Sequence, residues 1–418
     1  MLSLMRHVPR LLVPLVLFMA PACGSTPDPL VYSKEQTASA AAEAVGSNAL
    51  RTMRLVNDRF LSEWPAPGAD IGPNRGVPSN TWTRAVYFEG MLALYDVAPD
   101  QRLLDYGMAW ADGHAWRLSG APDTRLADDQ CAGQAYLSLY MLAPSETRIV
   151  TLQHSIDAMV QDPRSDDWTW IDAIQMAMPV FARMGVLRGQ TKYLDKMHAL
   201  YTYTRDVAGG HGLYDQRKHL WYRDQSFLPP FTEPNGESCF WSRGNGWVYA
   251  GLARVLDVLP PSDPRRPSYE ADFVAMSEAL LKVRRSDGFW NVSLHDPEHF
   301  GGPEITGTSL FVYGMAWGIR HGLLPRATFE PAVRGSFKAM SMKAIHSDGR
   351  LGYVQGTARG PLDGQPVSYD SVPNYDDFAV GCFLLAGSEM TKLDLGMRGK
   401  GAAPRIAVPA TACDTTRP

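Results

Sequence analysis

Three stretches form a weak internal repeat: Gly209-Gly210-His211-Gly212-Leu213-Tyr214, Ser286-Asp287-Gly288-Phe289-Trp290 and Ser347-Asp348-Gly349-Arg350-Leu351-Gly352-Tyr353. Each follows a segment of helical periodicity and runs from a glycine turn into a short aromatic, strand-like piece. A helical unit that recurs in this way cannot bury its own apolar face alone, so its copies must stack. Working outward from these turns, the spacing of apolar residues predicts helices over 35–62, 81–97, 100–116, 127–142, 147–161, 168–185, 190–207, 246–258, 267–284, 306–322, 327–344 and 376–391. Short turns such as Val97-Ala98-Pro99-Asp100 and Leu142-Ala143-Pro144-Ser145 join them, which makes antiparallel hairpins of neighbouring pairs. Six hairpins either close into an all-α toroid, an (α/α)6 barrel, or stack as an open solenoid, and periodicity admits both. In the closed form the N-termini of the inner helices meet at one mouth. Their unpaired N–H groups and dipoles favour an anion there.

Composition narrows the classes further. The chain has 418 residues, 45% hydrophobic and 20% charged, with a mean hydropathy of −0.20. That much apolar side chain excludes a disordered or collagen-like polymer. The length alone suggests two or three domains, but a stacked-hairpin fold runs longer as one unit. No linker interrupts Pro27 to Met390, so residues 30–394 read as one domain and 395–418, rich in Gly, Ala and Pro, as a loosely ordered tail. A net charge of −4 offers no broad basic face to nucleic acid. Five cysteines form neither a disulfide framework nor a zinc-site spacing. No phosphate loop, dinucleotide fingerprint, HExxH or Gly-x-Ser-x-Gly is present. Chemistry with neither metal nor cofactor is the expectation.

The N-terminus reads as an address. Arg6 and Arg10 precede the apolar run Leu11–Met19, and Ala20-Pro21-Ala22-Cys23 follows, the order of a secretory signal. The run is too short to span a bilayer. Cys23 after Ala22 suits the acylated cysteine of a bacterial lipoprotein, although Ala20 stands where leucine is usual. The expectation is a 1–22 signal and a periplasmic or outer-membrane protein attached through Cys23.

Three constellations carry candidate chemistry. In Trp168-Thr169-Trp170-Ile171-Asp172-Ala173-Ile174-Gln175-Met176, with Asp166 or Asp167 as cap, Asp172 falls more than a turn inside a helix among apolar neighbours. Burial there raises a carboxyl pKa toward that of a general acid; the plainer reading is an acid paired with a structural arginine. Asp128 and Asp129 head the 127–142 candidate helix, one as a cap and the other either solvated or a second carboxylate beside Asp172. Trp241-Ser242-Arg243-Gly244-Asn245-Gly246-Trp247 places flat indoles, a forked cation and two glycines together. Such a set suits a sugar ring and a carboxylate, with the glycines letting a ligand approach the backbone. Tyr87 and Trp82 begin one helix, and Thr306 in Gly302-Pro303-Glu304-Ile305-Thr306-Gly307-Thr308 another; their simplest roles are core and cap.

The succession Trp-x-Trp-Ile-Asp-Ala-Ile-Gln-Met, Trp-Ser-Arg-Gly-Asn-Gly-Trp and Gly-Pro-Glu-Ile-Thr-Gly-Thr resembles the unsaturated uronyl hydrolases of glycoside hydrolase families 88 and 105, most of all the rhamnogalacturonyl branch, over roughly 82–390. The resemblance implies a closed (α/α)6 barrel. It also implies removal of the 4,5-unsaturated uronate that polysaccharide lyases leave at a non-reducing end, by protonation at C4 and addition of water at C5. It puts Asp172 at the general acid/base position and Asp128, with Asp129 as the alternative, at the second carboxylate. Trp241, Arg243 and Trp247 fall on substrate-contact positions, Tyr87 on a pocket-wall aromatic, and Trp170 beside the acid. Thr306 joins the substrate-binding candidates. Relatives carry a substrate-contacting His after the Gly-Leu-Tyr turn; here Asp215 or Gln216 stands in its place and His219 follows, which leaves the leaving-sugar specificity open. Arg243 grips either the uronate or a sugar hydroxyl, with helix-end N–H groups taking the carboxylate in the second case. Two other readings stand beside this one. The first is an ordinary two-carboxylate glycosidase, and the second a non-catalytic glycan-binding surface lipoprotein.

Overall fold

Inner and outer helices differ in how much of their circumference they bury, and the difference is written in their residues. The computed structural model describes residues 48–71 and 76–399. In chain order the helices are α1 (Asn48–Glu63), α2 (Trp82–Val97), α3 (Gln101–Gly113), α4 (Ala127–Gln130), α5 (Ala132–Leu142), α6 (Val150–Gln161), α7 (Asp172–Met176), α8 (Met178–Arg188), α9 (Thr191–Asp206), α10 (Ser242–Val258), α11 (Arg266–Lys282), α12 (Ile305–Arg320), α13 (Arg326–Lys343) and α14 (Asp377–Asp394). Helices α1, α3, α6, α9, α11 and α13 are amphipathic: α1 buries Leu50, Met53, Val56 and Phe60 on one stripe. Their partners are buried nearly all round; in α12 every residue from Ile305 to Ile319 is. A helix apolar on every side belongs inside, and one with a single apolar stripe belongs outside. Two concentric layers result.

Closure follows from glycine. Along the inner ring α2 packs on α5, α5 on α8, α7 and α8 on α10, α10 on α12, α12 on α14, and α14 returns to α2. At that last crossing a Cβ on Gly90 would lie 2.3 Å from the Gly381 carbonyl oxygen, and one on Gly381 2.2 Å from that of Val86. The two backbones touch because neither residue has a side chain. The fold is therefore the closed (α/α)6 barrel, not the open solenoid.

The glycine turns make the return from outer to inner helices. Gly288 and Gly349 take φ of 101° and 92°, open to glycine and strained for other residues. The aromatic pieces pair briefly: β1 (Tyr214–Asp215) with β2 (Leu220–Trp221), Trp290 with Glu304, and Leu351 with Ile345.

Four boundaries depart from periodicity. The 127–142 helix is interrupted at Cys131. The expected 168–185 helix begins only at Asp172 and breaks again at Ala177, just before Pro179, whose missing N–H suits a new first turn. The 246–258 helix begins at Ser242 instead. The start of the expected loose tail is tied down: Gly399 N–H donates to the Arg320 carbonyl (3.0 Å) and Met397 N–H to that of Lys392 (3.0 Å). Residues 400–418, the 1–22 signal and Cys23 lie outside the described residues. Among those described, no helix is long and apolar enough to cross a membrane.

Candidate active site

The N-terminal ends of the inner helices surround a cavity of about 480 Å³. Its walls are Trp82, Asp128, Trp170, Asp172, Met176, Arg223, Trp241, Arg243, Trp247 and a loop over 357–364. A second cavity of about 490 Å³ occupies the opposite mouth, among Arg183, Arg254, Tyr313 and Trp317. The C-terminal halves of the inner helices line it, so their dipoles present the negative end there. The first mouth is the one that collects the acids and indoles singled out in the sequence.

Asp172 reaches that mouth by a route the periodicity misses. Asp167 does not cap a helix; Arg125 takes it through two 2.6 Å bonds. The chain before Asp172 is extended because Ile171 N–H donates to the Arg223 carbonyl (3.0 Å) and Trp170 bridges Asp224. Asp172 is thus the first residue of α7, not one more than a turn inside it. The dipole favours its carboxylate at that position, while burial opposes it: the residue is 8% exposed. Burial pushes its carboxyl pKa up, against the pull of Arg223 and Arg243. Its Oδ2 lies 3.3 Å from Arg223 Nε and has no hydrogen-bond partner among the described residues.

Asp128 stands in the first turn of α4. Its carboxyl is pushed up to about 7, first by burial and then by the charge of Asp172, with Arg223 opposing. The charge of Asp172 thus adds to burial in holding the proton on Asp128. Asp129 turns away and accepts from Thr124 Oγ1 (2.7 Å). Of the two acids, only Asp128 lines the cavity.

Trp241 N-caps α10 and Arg243 sits in its first turn, but the arginine's fork is already occupied. Nη1 donates to the Gln355 carbonyl (2.8 Å) and Nη2 to that of Gly356 (2.7 Å). The guanidinium lies between the rings of Trp241 (4.7 Å) and Phe378 (4.9 Å). Arg243 therefore clamps the 355–364 loop over the cavity. Trp241 Nε1 adds a bond to Gln355 Oε1 (2.8 Å). The neighbouring glycines serve packing: a Cβ on Gly244 would meet the Trp241 ring at 2.7 Å, and one on Gly246 would meet Leu310 at 2.8 Å. The expected backbone approach by a ligand is replaced by close approach of side chain and helix.

Three further candidates lie off the cavity. Tyr87 donates to Asn57 Oδ1 (3.0 Å) and stacks on Phe60 at 3.7 Å, tying α2 to α1. Thr306 Oγ1 donates to Glu304 Oε1 (2.5 Å), part of the cap that Glu304 builds on α12. His219, at a φ of 56° in the β1–β2 turn, bonds Tyr214 through Nδ1 (3.0 Å). Asp215 accepts the Arg217 and Lys218 amides (2.9 and 3.0 Å) and faces its own turn. Sequence reasoning missed Arg223, Met176 and the 357–364 loop, and placed Trp82 in the core. The apolar run Leu220-Trp221-Tyr222 suits a buried strand, but nothing local says that Arg223 at its end lies beside Asp172.

One group among the described residues has the ligand types for a cation: Glu233, Asp296 and His299, with donor atoms within 4.8 Å of one another. Its bonds close internally: Glu233 accepts from Ser293 (2.8 Å) and pairs with His299, and Asp296 accepts the Asn235 amide (3.1 Å).

Residues 56–394 match the model of Glycosyl Hydrolase Family 88. The chain belongs to this family and is a glycoside hydrolase. It is 33% identical over 338 residues to an unsaturated 3S-rhamnoglycuronyl hydrolase of Formosa agariphila, covering 75% of this chain and 85% of that one. To the enzyme of the same description from Alteromonas sp. (strain LOR) it is 27% identical over 331 residues, covering 74% and 77%. Among solved structures it is similar to a glycosyl hydrolase family 88 protein from Bacteroides vulgatus, with a TM-score of 0.75 and 31% identity, covering 82% of this chain and 98% of that one.

Proposed function

We propose that the protein removes a 4,5-unsaturated uronate from the non-reducing end of lyase-generated oligosaccharides, with Asp172 as the acid. The observation that carries this is the pair of buried acids at one cavity, Asp172 with an oxygen that accepts no hydrogen bond among the described residues and Asp128 raised to about 7. An acid that keeps its proton near neutrality can donate it to carbon. Protonation at C4 leaves positive charge on C5 and the ring oxygen. Water bonds to C5 and returns a proton to the Asp172 carboxylate. The hemiketal then opens to a 5-ketone, and the hemiacetal left at C1 expels the rest of the saccharide as an alcohol. No leaving group departs in the first step, so one titrating acid suffices. Asp128 lines the same cavity and borders the water's approach. Trp82, Trp170, Trp241 and Trp247 offer the apolar faces that sugar rings stack on.

The names of the two relatives support rhamnose, sulfated at O3, as the sugar released. Export behind residues 1–22 and acylation of Cys23 complete the reading, and palmitate labelling of the wild type against Cys23→Ala checks that part. The activity is tested by mixing the enzyme with lyase digests of rhamnose-bearing polysaccharides and following the ultraviolet absorbance of the conjugated uronate. Absorbance falls with the wild type, and Asp172→Asn slows it at least about a thousandfold. Near-normal turnover by Asp172→Asn refutes the assignment. Cleavage of saturated glycosides instead points to an ordinary glycosidase, and tight binding without product to a glycan-binding protein.

A further inference from the structure

The substrate brings a carboxylate into a cavity that already holds two. Burying a negative charge beside them is unfavourable without a cation to meet it. Three arginines border the space, of which one is committed elsewhere and one lies at the solvent edge. Arg243 spends both Nη groups on the carbonyls of Gln355 and Gly356. Arg359 is exposed on the outer loop. Arg223 is held at the wall instead: Nη1 donates to Asp224 Oδ2 at 2.6 Å, Nε stands 3.3 Å from Asp172 Oδ2, and Nη2 has no partner among the described residues. Asp224 is itself fixed by the Ser226 amide (2.8 Å), and the Arg223 carbonyl by Ile171. The guanidinium is thus oriented before any ligand arrives.

We infer that Arg223 takes the uronate carboxylate through Nη2 while its Nε keeps Asp172 facing the ring, which makes it the specificity residue for an acidic sugar. The inference rests on the reading of Asp172 as the acid that protonates C4. The carboxylate hangs from C5, two bonds from C4. Whatever puts C4 against Asp172 Oδ2 therefore brings the carboxylate beside the group 3.3 Å from that same oxygen. Recognition and proton delivery meet in one side chain. Asp215, one of the two residues at the expected histidine position, is bonded into its turn and does not line the cavity, whereas Arg223 does.

The test compares one unsaturated uronyl disaccharide with its methyl ester, which keeps the enol ether and loses the charge. Arg223→Gln is expected to lower kcat/KM on both substrates, because Asp172 loses its neighbour, and at least about tenfold more on the acid than on the ester, because only the acid loses its cation. Arg223→Lys is expected to restore about tenfold on the acid, since a point charge replaces the fork. Both substrates are read on the same preparation, so a fraction of unfolded protein cancels from the ratio. An equal loss on acid and ester, or none on either, overturns the inference. Failure of the Asp172 reading shows separately, as turnover of the ester by Asp172→Asn.

Discussion

Replacing Arg243 with methionine separates a ligand-binding arginine from a loop clamp. The change keeps much of the stem and removes two charge-assisted bonds of 2.8 and 2.7 Å, leaving the carbonyls of Gln355 and Gly356 without donors. Bonds to a charged group contribute about 1.5–3 kcal/mol each, and stacking on Trp241 and Phe378 about 0.5–2 kcal/mol more per ring. Against this stands the cost of burying a guanidinium, which the methionine does not incur. The net is on the order of 3–5 kcal/mol, as when one partner of a buried charge pair is removed. The loss is local, because Gln355 still bonds Trp241 Nε1, Gly360 O and Asp363 O through its own side chain. About 3 kcal/mol off the opening energy corresponds to roughly a hundredfold faster amide exchange in residues 355–364. Hydrogen exchange followed by mass spectrometry reads this directly, and kcat/KM is expected to fall with it as one cavity wall loosens. If activity vanishes while exchange in the loop is unchanged, Arg243 contacts substrate and the clamp argument is wrong.

Two further outcomes follow from burial and packing. Asp128 titrates near 4 when unfolded and at about 7 when folded, so between those values the folded state holds the extra proton. Stability therefore falls as pH rises from about 4 to 7, by about 2–4 kcal/mol after allowance for solvent screening. Asp128→Asn removes that slope: denaturant titrations should show the variant level with the wild type at pH 4 and more stable at pH 8, and parallel curves would contradict the assignment. Gly381→Ala places a methyl group 2.2 Å from a carbonyl oxygen of α2. Since backbone cannot yield as a side chain does, the barrel seam should lose about 3 kcal/mol or more, visible as a fall in Tm, whereas Gly113→Ala, with open space around it, should not.

Much of the site was legible in local sequence. An aspartate set among Trp, Ile and Met is a group whose burial shifts its titration wherever the chain goes, and Asp172 and Asp128 both line the cavity. Tryptophans 170, 241 and 247 reach it as well. Arg243 was legible as a fork beside indoles, but its occupants are carbonyls more than a hundred residues away. Tyr87, Asp129, His219 and Thr306 were matched by position along the chain, and each is engaged by a neighbour that turns it from the cavity.

The sequence by itself determined the hairpin array, through 3.6-residue periodicity and recurrent glycine turns that act over a few residues. Which helices lie inside became plain from their burial in the fold, because a helix apolar on all sides has no face for water. Closure, the N-terminal position of Asp172 in its helix and the placement of Arg223 beside it were decided only by tertiary structure. Each depends on contacts between segments distant in the chain: Gly90 on Gly381, Ile171 on Arg223, Arg243 on Gln355. Local patterns state what a residue must bury or bond, and the fold selects the partner that satisfies it.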